Sequence, residues 1–378
     1  MIDFDMLAVG STVLKGSGSR LIQPRMRVMI DNDFSGDPDD LFALVHHVLS
    51  PSIENPLIIW SHLSVGDEWD PSNVQATKAK ARADETLRIM GLEHLFKVVQ
   101  GSNSGLDDRQ TPKPSAAAEG IIAEAIRDDV RPLYLVCGAG LTDLASAYLM
   151  KPEIAKRLVV IWIGGSEYPD MAPTPPDVGK YEYNQRIDPL SVQVVFNDSD
   201  LQLWQVPRSS YRECLISYAE ILTKVKPMGA IGSFLYDNIV NIYNWRNDSP
   251  PGLGETYILG DQPLVTLTAL QASFHPEPSS STFVTRPAPI INEAGSYEDN
   301  PKGRQIRIYT HTDVRLTFDD FLREIGFVRE IIKKSQPWGT ASICDRTLPP
   351  DRAEDQPPGS SDDCRNTADR KRRRRAAH

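Results

Sequence analysis

The sequence predicts an α/β protein: one large domain on an open, mostly parallel central sheet flanked by helices. Short apolar runs alternate with stretches of helical period along most of the chain, the pattern of repeated βα units. With 378 residues, 40% of them hydrophobic, the chain can bury a sizeable core. No internal repeat divides it.

The elements follow in order. Val28-Met29-Ile30 ends a buried strand, and Leu41, Leu44, Val45 and Val48 then recur at helical spacing. Strands are expected at Leu57–Trp60, Phe96–Val99, Leu133–Cys137 and Leu158–Ile163. Helices are expected between them at Val74–Met90, Ala116–Ile126 and Leu141–Met150. Residues 206–250 read as mainly helical, capping one face, and residues 276–303, rich in Pro, Ser and Asn, as a long surface loop. Arg307–Tyr309 and Leu316–Ile332 supply a last strand and helix. Residues 1–25 form an N-terminal arm and residues 26–339 the domain. From residue 340 the apolar period vanishes, so 340–378 reads as a disordered tail. Its closing basic run, Arg370 to Arg375, is a solvated charged end, with a nuclear-import or nucleic-acid tether as the alternative.

The net charge of −10 argues against a general nucleic-acid-binding surface and leaves room for a neutral nucleoside or sugar. Cys137, Cys214, Cys344 and Cys364 have neither paired metal spacing nor a disulfide framework, and read as free thiols in a reducing compartment. The chain has no charged-then-apolar leader and no run of membrane-spanning length, so it reads as cytoplasmic, with no membrane partner.

Asp31, Asp33, Asp37, Asp39 and Asp40 crowd into ten residues at the strand-to-helix turn after Ile30. Open α/β sheets place ligand sites at such turns. Carboxylates this close repel unless protons or a cation intervene. Oxygen donors in an irregular loop suit Ca²⁺ better than Mg²⁺. The competing reading is capping: acids are favoured in a first helical turn, and Asp37 or Asp39 would serve as an N-cap.

The segment from Met29 to Leu44 resembles the Asp-x-Asp-x-Gly-x-Asp-Asp signature of the inosine/uridine-type nucleoside hydrolases, with an insertion before the final pair. Four further segments match in the order the family requires: Leu135 to Ala145, Val160 to Gly165, Glu182 to Pro189 and Gly260 to Leu264. The resemblance spans about residues 26 to 335. It implies Ca²⁺-dependent hydrolysis of the N-glycosidic bond of ribonucleosides or related N-ribosyl compounds, giving free base and ribose, by a dimer or tetramer. Asp33 aligns with the base that also ligates Ca²⁺. Asp40 aligns with the bidentate ligand, Asp261 with the distant carboxylate, and Gly138 with a carbonyl ligand. Asp39 and Asn184 align with groups on the ribose diol, and Glu182 with one on the 5′-side. Tyr183 keeps an aromatic wall, Ile163 replaces a Met beneath the sugar, and Asp31 becomes a support behind the first ligands. Asp188-Pro189 reads as structural.

The match fails in three places. Gly260 stands where purine-preferring members have the His that protonates the leaving base. The loop between Gly165 and Glu182 lacks an Asn for the 5′-hydroxyl. His62 ends the second strand where the family has a sugar-binding Asn, and is a candidate to face the site. Trp60 and Trp162 read as core rather than base-stacking groups, and His46 and His47 as structural. These departures keep two other readings open: a Ca²⁺-dependent sugar or nucleoside binding protein, and a hydrolase of another glycoside.

Overall fold

A computed structural model describes residues 22–176, 178–247, 252–272 and 280–335, with side chains to residue 326. Most of the expected arm and all of the expected tail, with Cys344, Cys364 and the basic run, lie outside the described residues.

β1 (Met26–Asn32) buries all of its residues, as a strand covered on both faces must. After it come α1 (Asp39–Leu49), β2 (Ile53–Glu54), β3 (Ile58–Trp60), α2 (Gln75–Ile89) and β4 (Val98–Gln100). The next stretch holds α3 (Ala116–Ala125), β5 (Leu133–Cys137), α4 (Thr142–Met150), β6 (Val159–Ile163), α5 (Tyr183–Ile187), α6 (Pro189–Gln193) and β7 (Gln202–Val206). A largely helical segment carries α7 (Arg208–Tyr211), β8 (Leu215–Ser217), α8 (Tyr218–Glu220), α9 (Gly229–Asn247), β9 (Thr256–Ile258) and α10 (Pro263–Thr266). The described chain ends with β10 (Thr282–Pro287), β11 (Ile290–Ile291), β12 (Tyr297–Glu298), β13 (Gln305–His311) and α11 (Val314–Ser335).

Alternation along the strands splits the core into two layers. Val28, Ile30, Ile58, Trp60, Val136 and Ile161 point to the layer built with α1, α2, α9 and α11. Met29, Ile59, Leu135, Cys137, Val160 and Trp162 point to the layer built with α3, α4 and α6. Trp60 and Trp162 are thus core residues, at most 1% exposed. Cys137 and Cys214 are buried free thiols. Among the described residues no helix is long and apolar enough to cross a membrane.

The main sheet runs β10-β13-β7-β6-β5-β1-β3-β4, with β2 also on β1, and is parallel except for β10 against β13. From β1 the chain steps outward to β4, then restarts at β5 on the other side of β1. The strand order therefore reverses between β1 and β5, where a crevice opens at the carboxyl ends.

One expectation is corrected. Within 276–303, residues 282–287 form an edge strand and 290–298 a small hairpin; residues 276–279 lie outside the described residues. The run Thr282-Phe283-Val284-Thr285 has strand-forming side chains, and Pro287 is tolerated because it ends an edge strand.

His47, fully buried on α1, donates Nδ1–H to the Ala43 carbonyl at 3.0 Å. Burial, then the neighbouring His46, lower its pKa from 6.5 to about 3. The unfolded chain therefore takes up a proton below pH 6.5 that the folded chain refuses, so this group costs stability as pH falls. In urea titrations, His47→Leu should gain on the wild type by about 1.4 kcal/mol per pH unit between about pH 6 and pH 4. A pH-independent difference would show that the ring is not neutral in the fold.

Candidate active site

Asn32 ends β1 and Gly138 follows β5, so the crevice opens between them. Asp33 continues from β1, and Pro38 starts α1 with Asp39 and Asp40 in its first turn. Asp261 arrives from the turn before α10. One carboxylate oxygen each from Asp39, Asp40 and Asp261 lies within 4.8 Å of the others. Asp40 also makes carboxyl–carboxyl contacts with Asp33 and Asp261. These groups line a cavity of about 300 Å³ with Asp37, Gly138, Ile163, Glu182, Tyr183, Asn184 and Tyr211.

Burial is the main cause of unusual acidity here, and neighbouring carboxylates add to it. Asp33, Asp39 and Asp261 are held well above the ordinary carboxylate range, and Asp37 is raised to about 7. Several groups relieve the repulsion, Asn32 and Arg82 among them. Asn32 Nδ2 donates to Asp40 Oδ1 and Asp261 Oδ2, each at 2.5 Å. The Arg82 guanidinium of α2 donates to the Gly36 carbonyl at 3.2 Å and draws Asp37 and Asp40 down.

The donor set fits a hard divalent cation. It offers carboxylate oxygens, one of which, Asp33 Oδ2, is buried with no hydrogen-bond partner among the described residues. The Gly138 carbonyl accepts from Asn184 Nδ2 at 3.0 Å and keeps a second lone pair. A side chain at 138 would collide with the Asp261 carboxylate and with Asn32, which explains the glycine.

A second wall of the cavity is built from α5 and its neighbours. Glu182 caps α5: Oε2 accepts from the Gly165 and Gln185 backbone N–H groups at 2.8 and 3.1 Å. Its Oε1 accepts from the Tyr211 hydroxyl at 2.7 Å. Gly165 has φ +86°, and a side chain there would strike Tyr297 and Gln205, so the second glycine of the pair is required. Asn184 Nδ2 also donates to the Ile163 carbonyl at 2.8 Å, which fixes its amide plane. The Tyr183 hydroxyl donates to Asp67 Oδ1 at 3.1 Å, and Arg186 lies over the ring at 5.0 Å.

Three sequence candidates sit elsewhere than in the cavity wall or change neighbours. His62 does not line the cavity: Nδ1 faces the Leu63 carbonyl at 2.8 Å and Nε2 the Thr142 hydroxyl at 3.0 Å. That hydroxyl donates to Asp188, the cap of α6, so both residues belong to a structural chain. Asp31 faces the other side of the sheet, where it accepts from the Ser61 hydroxyl. Asp37 accepts from the Tyr257 hydroxyl at 2.5 Å and from the Asp39 N–H at 3.3 Å, a turn at the cavity edge; the N-cap of α1 is Pro38 with no side-chain cap bond, so the expected capping by Asp37 or Asp39 is corrected.

Sequence reasoning missed several groups. Asn32 was findable, because strand alternation turns it to the opposite face from Asp31. Tyr211 had no local signal. Its ring fills the space beside Gly260, 3.2 Å from where a side chain would begin. At the mouth, Trp69 meets Trp245 edge-on at 4.9 Å, and Arg246 stacks on Trp245 at 4.2 Å while pairing with Glu68 at 3.0 Å.

No curated protein matches the chain by sequence. In fold it is similar to a plant nucleoside hydrolase, with TM-score 0.60 and 16% identity over 80% of this chain and 99% of that one. It is also similar to the purine-preferring ribonucleoside hydrolase from Gardnerella vaginalis (TM-score 0.59, 18% identity, 81% and 99% covered). A third similar structure is the type III effector protein XopQ complexed with adenosine diphosphate ribose (TM-score 0.52, 12% identity, 84% and 97% covered). Residues 28–317 match the sequence profile described as inosine-uridine preferring nucleoside hydrolase. With the parallel sheet and the acidic crevice at its switch point, that match places the chain in the inosine-uridine preferring nucleoside hydrolase family, hydrolases of N-glycosyl compounds.

Proposed function

We propose that the protein cleaves the N-glycosidic bond of ribonucleosides or related N-ribosyl compounds, with Ca²⁺ as its resident ion. The observation that carries this reading is the meeting of Asp33, Asp39, Asp40 and Asp261 in one cavity beside the Glu182–Asn184 wall. The family is metal-dependent, and an all-oxygen set on loop and turn suits Ca²⁺. Asp33, Asp40, Asp261 and the Gly138 carbonyl would hold the ion. When bound, the cation supplies Lewis acidity that makes water easier to deprotonate.

Asp33, with Oδ2 free, takes the proton from the attacking water as general base. Asp39 and Asn184 hold the ribose diol, Glu182 the 5′-side, and Tyr183 walls the ring. Fixed negative charge around the sugar favours the positive charge that develops as the bond to the base breaks. Asp31 acts one step removed, its backbone carbonyl accepting from the Gly138 N–H at 3.0 Å. His62 is too engaged with Leu63 and Thr142 to be kept as a sugar contact.

The leaving-group side is different. Gly260 offers no acid, and the Tyr211 hydroxyl is committed to Glu182. A base that departs neutral without a proton, as a pyridinium-type riboside releases nicotinamide, needs no acid. Such N-ribosides therefore rank ahead of inosine as substrates.

The deciding experiment is product release from purine, pyrimidine and nicotinamide ribosides, with Ca²⁺ and after chelation. Adenosine diphosphate ribose belongs in the panel because a structural neighbour holds it. Chelator-sensitive release of free base, restored by Ca²⁺, is expected. Ca²⁺-dependent binding without product would favour a binding protein, and sugar release from other glycosides alone would favour the third reading.

Two variants test the roles. Asp33→Ala should lower turnover by about 10²–10⁴-fold and weaken Ca²⁺ binding by titration calorimetry; wild-type turnover would remove Asp33 from the mechanism. Tyr211→Phe removes one hydrogen bond to Glu182, worth about 1 kcal/mol. kcat/KM should fall about fivefold, mainly through KM, with unchanged circular dichroism. An unaltered KM would mean that Glu182 does not meet substrate.

A further inference from the structure

Away from the acidic crevice, α1 and α11 pack across three ionisable side chains that the proposed reaction does not use. His46 is fully buried against the Phe321 ring, with centroids 5.5 Å apart. Its Nδ1 lies 2.7 Å from Gln262 Oε1, and its Nε2 lies 3.2 Å from Asp320 Oδ2. Asp320 and Glu324 stand one turn apart on α11. One donor atom from each of His46, Asp320 and Glu324 lies within 4.8 Å of the other two.

Two features of this cluster call for a cation. Glu324 is only 8% exposed, and its Oε2 has no hydrogen-bond partner among the described residues; the Ser50 hydroxyl donates to the His46 carbonyl at 2.8 Å. Two acids at i and i+4 repel on a helix, and a buried oxygen with nothing to accept from adds a further penalty. The second feature is the orientation of His46. Its Nδ1 is held by the Gln262 side-chain amide, which leaves Nε2 facing the Asp320 carboxylate, the direction a ligand to a shared cation needs. Metal-bound histidines are oriented in this way, by a hydrogen bond from the opposite ring nitrogen.

We propose that His46, Asp320 and Glu324 bind a divalent transition-metal ion of the zinc class, at a site separate from the acidic crevice. One imidazole nitrogen and two carboxylates are zinc-type donors. Tetrahedral bonds of about 2.0–2.1 Å set ligand atoms about 3.4 Å apart, a modest closure from the present spacing. Asp320 is 32% exposed, which leaves a way in for the ion and room for a water as fourth ligand. The ion cross-links α11 to α1. Through Gln262 it also steadies the turn that carries Asp261. Its role is to brace the fold.

The rival occupant is a proton. Burial, then the adjacent Asp320, hold the Glu324 carboxyl well above its ordinary range, so a protonated glutamic acid can sit there instead. Metal content separates the two. The full chain is stripped with chelator, re-exposed to Zn²⁺, dialysed and analysed for zinc. Asp320→Asn should retain one equivalent fewer than its parent, both in the wild type and in an Asp261→Asn background with a disabled crevice. Zn²⁺ should raise the Tm of Asp261→Asn by several degrees, and that gain should vanish in Asp261→Asn/Asp320→Asn. Co²⁺ bound to Asp261→Asn should show the visible absorption of a tetrahedral site, lost on adding Asp320→Asn. Equal zinc in Asp320→Asn and its parent, or no zinc in Asp261→Asn, overturns the proposal. Asp320 lies on the open rim, so its variant folds even where Glu324→Gln does not. The readouts here are zinc content, Tm and the Co²⁺ spectrum rather than base release, so a failure of the proposed catalysis and a failure of this site are read independently.

Discussion

Mutual repulsion among buried carboxylates is the constraint on which the rest of the structure depends. Asp33, Asp40 and Asp261 are buried, with Asp37 and Asp39 half-buried beside them around one cavity, and a cluster of that charge is unstable without protons or a cation. The surrounding fold answers in several ways at once. Asn32 bridges two of the acids, Arg82 reaches in from α2, and backbone N–H groups at the start of α1 and at Asp261 meet Asp39. Gly138 leaves the volume into which Asp261 projects. Each device removes part of the repulsion and none of them all of it, which keeps the cluster receptive to an ion.

The sheet makes that convergence affordable in backbone terms. Because strand order reverses between β1 and β5, two carboxyl ends diverge and leave a crevice without breaking a ladder hydrogen bond. Around it the two sides are built differently. Glu182 is held by three donors and Asn184 by two carbonyls, so this wall is fixed before anything binds. The opposite side is aromatic and cationic, with Trp69, Trp245 and Arg246 at the rim and no side chain at 260. On the proposed reading, preorganisation is concentrated where charge would develop on the sugar, and the departing group would meet the aromatic and cationic rim.

How much of this was legible in the sequence follows from the range of each interaction. β5 falls on the expected residues, and α1, α2, α4 and β6 within a residue or two, because period and caps are local signals. The acids of the crevice were visible as a cluster in one turn, and Asp261 through its resemblance to a family turn. β10 was hidden beneath the composition of its flanks, since an edge strand is defined by its partner β13 as much as by itself. Tyr211 and the Trp69–Trp245 pair were not legible at all. Their roles arise from contacts across tens to hundreds of residues, between a helix end, a loop and the far end of another helix. His62 illustrates the converse: its place after the second strand is as expected, but a rotamer directed at Thr142 takes it out of the cavity.

α1 ties the two halves of this account together. Its first turn presents Asp39 and Asp40 to the crevice, and about two turns later His46 leaves the same helix toward α11. Gln262 follows Asp261 directly and meets His46, so the turn that supplies the distant carboxylate is gripped from both sides. Displacing α11 from α1 would release Gln262 and with it the position of Asp261 between Asn32 and Asp40. Packing at a surface helix is thereby coupled, through one amide and one imidazole, to the charge balance of a crevice that helix never enters.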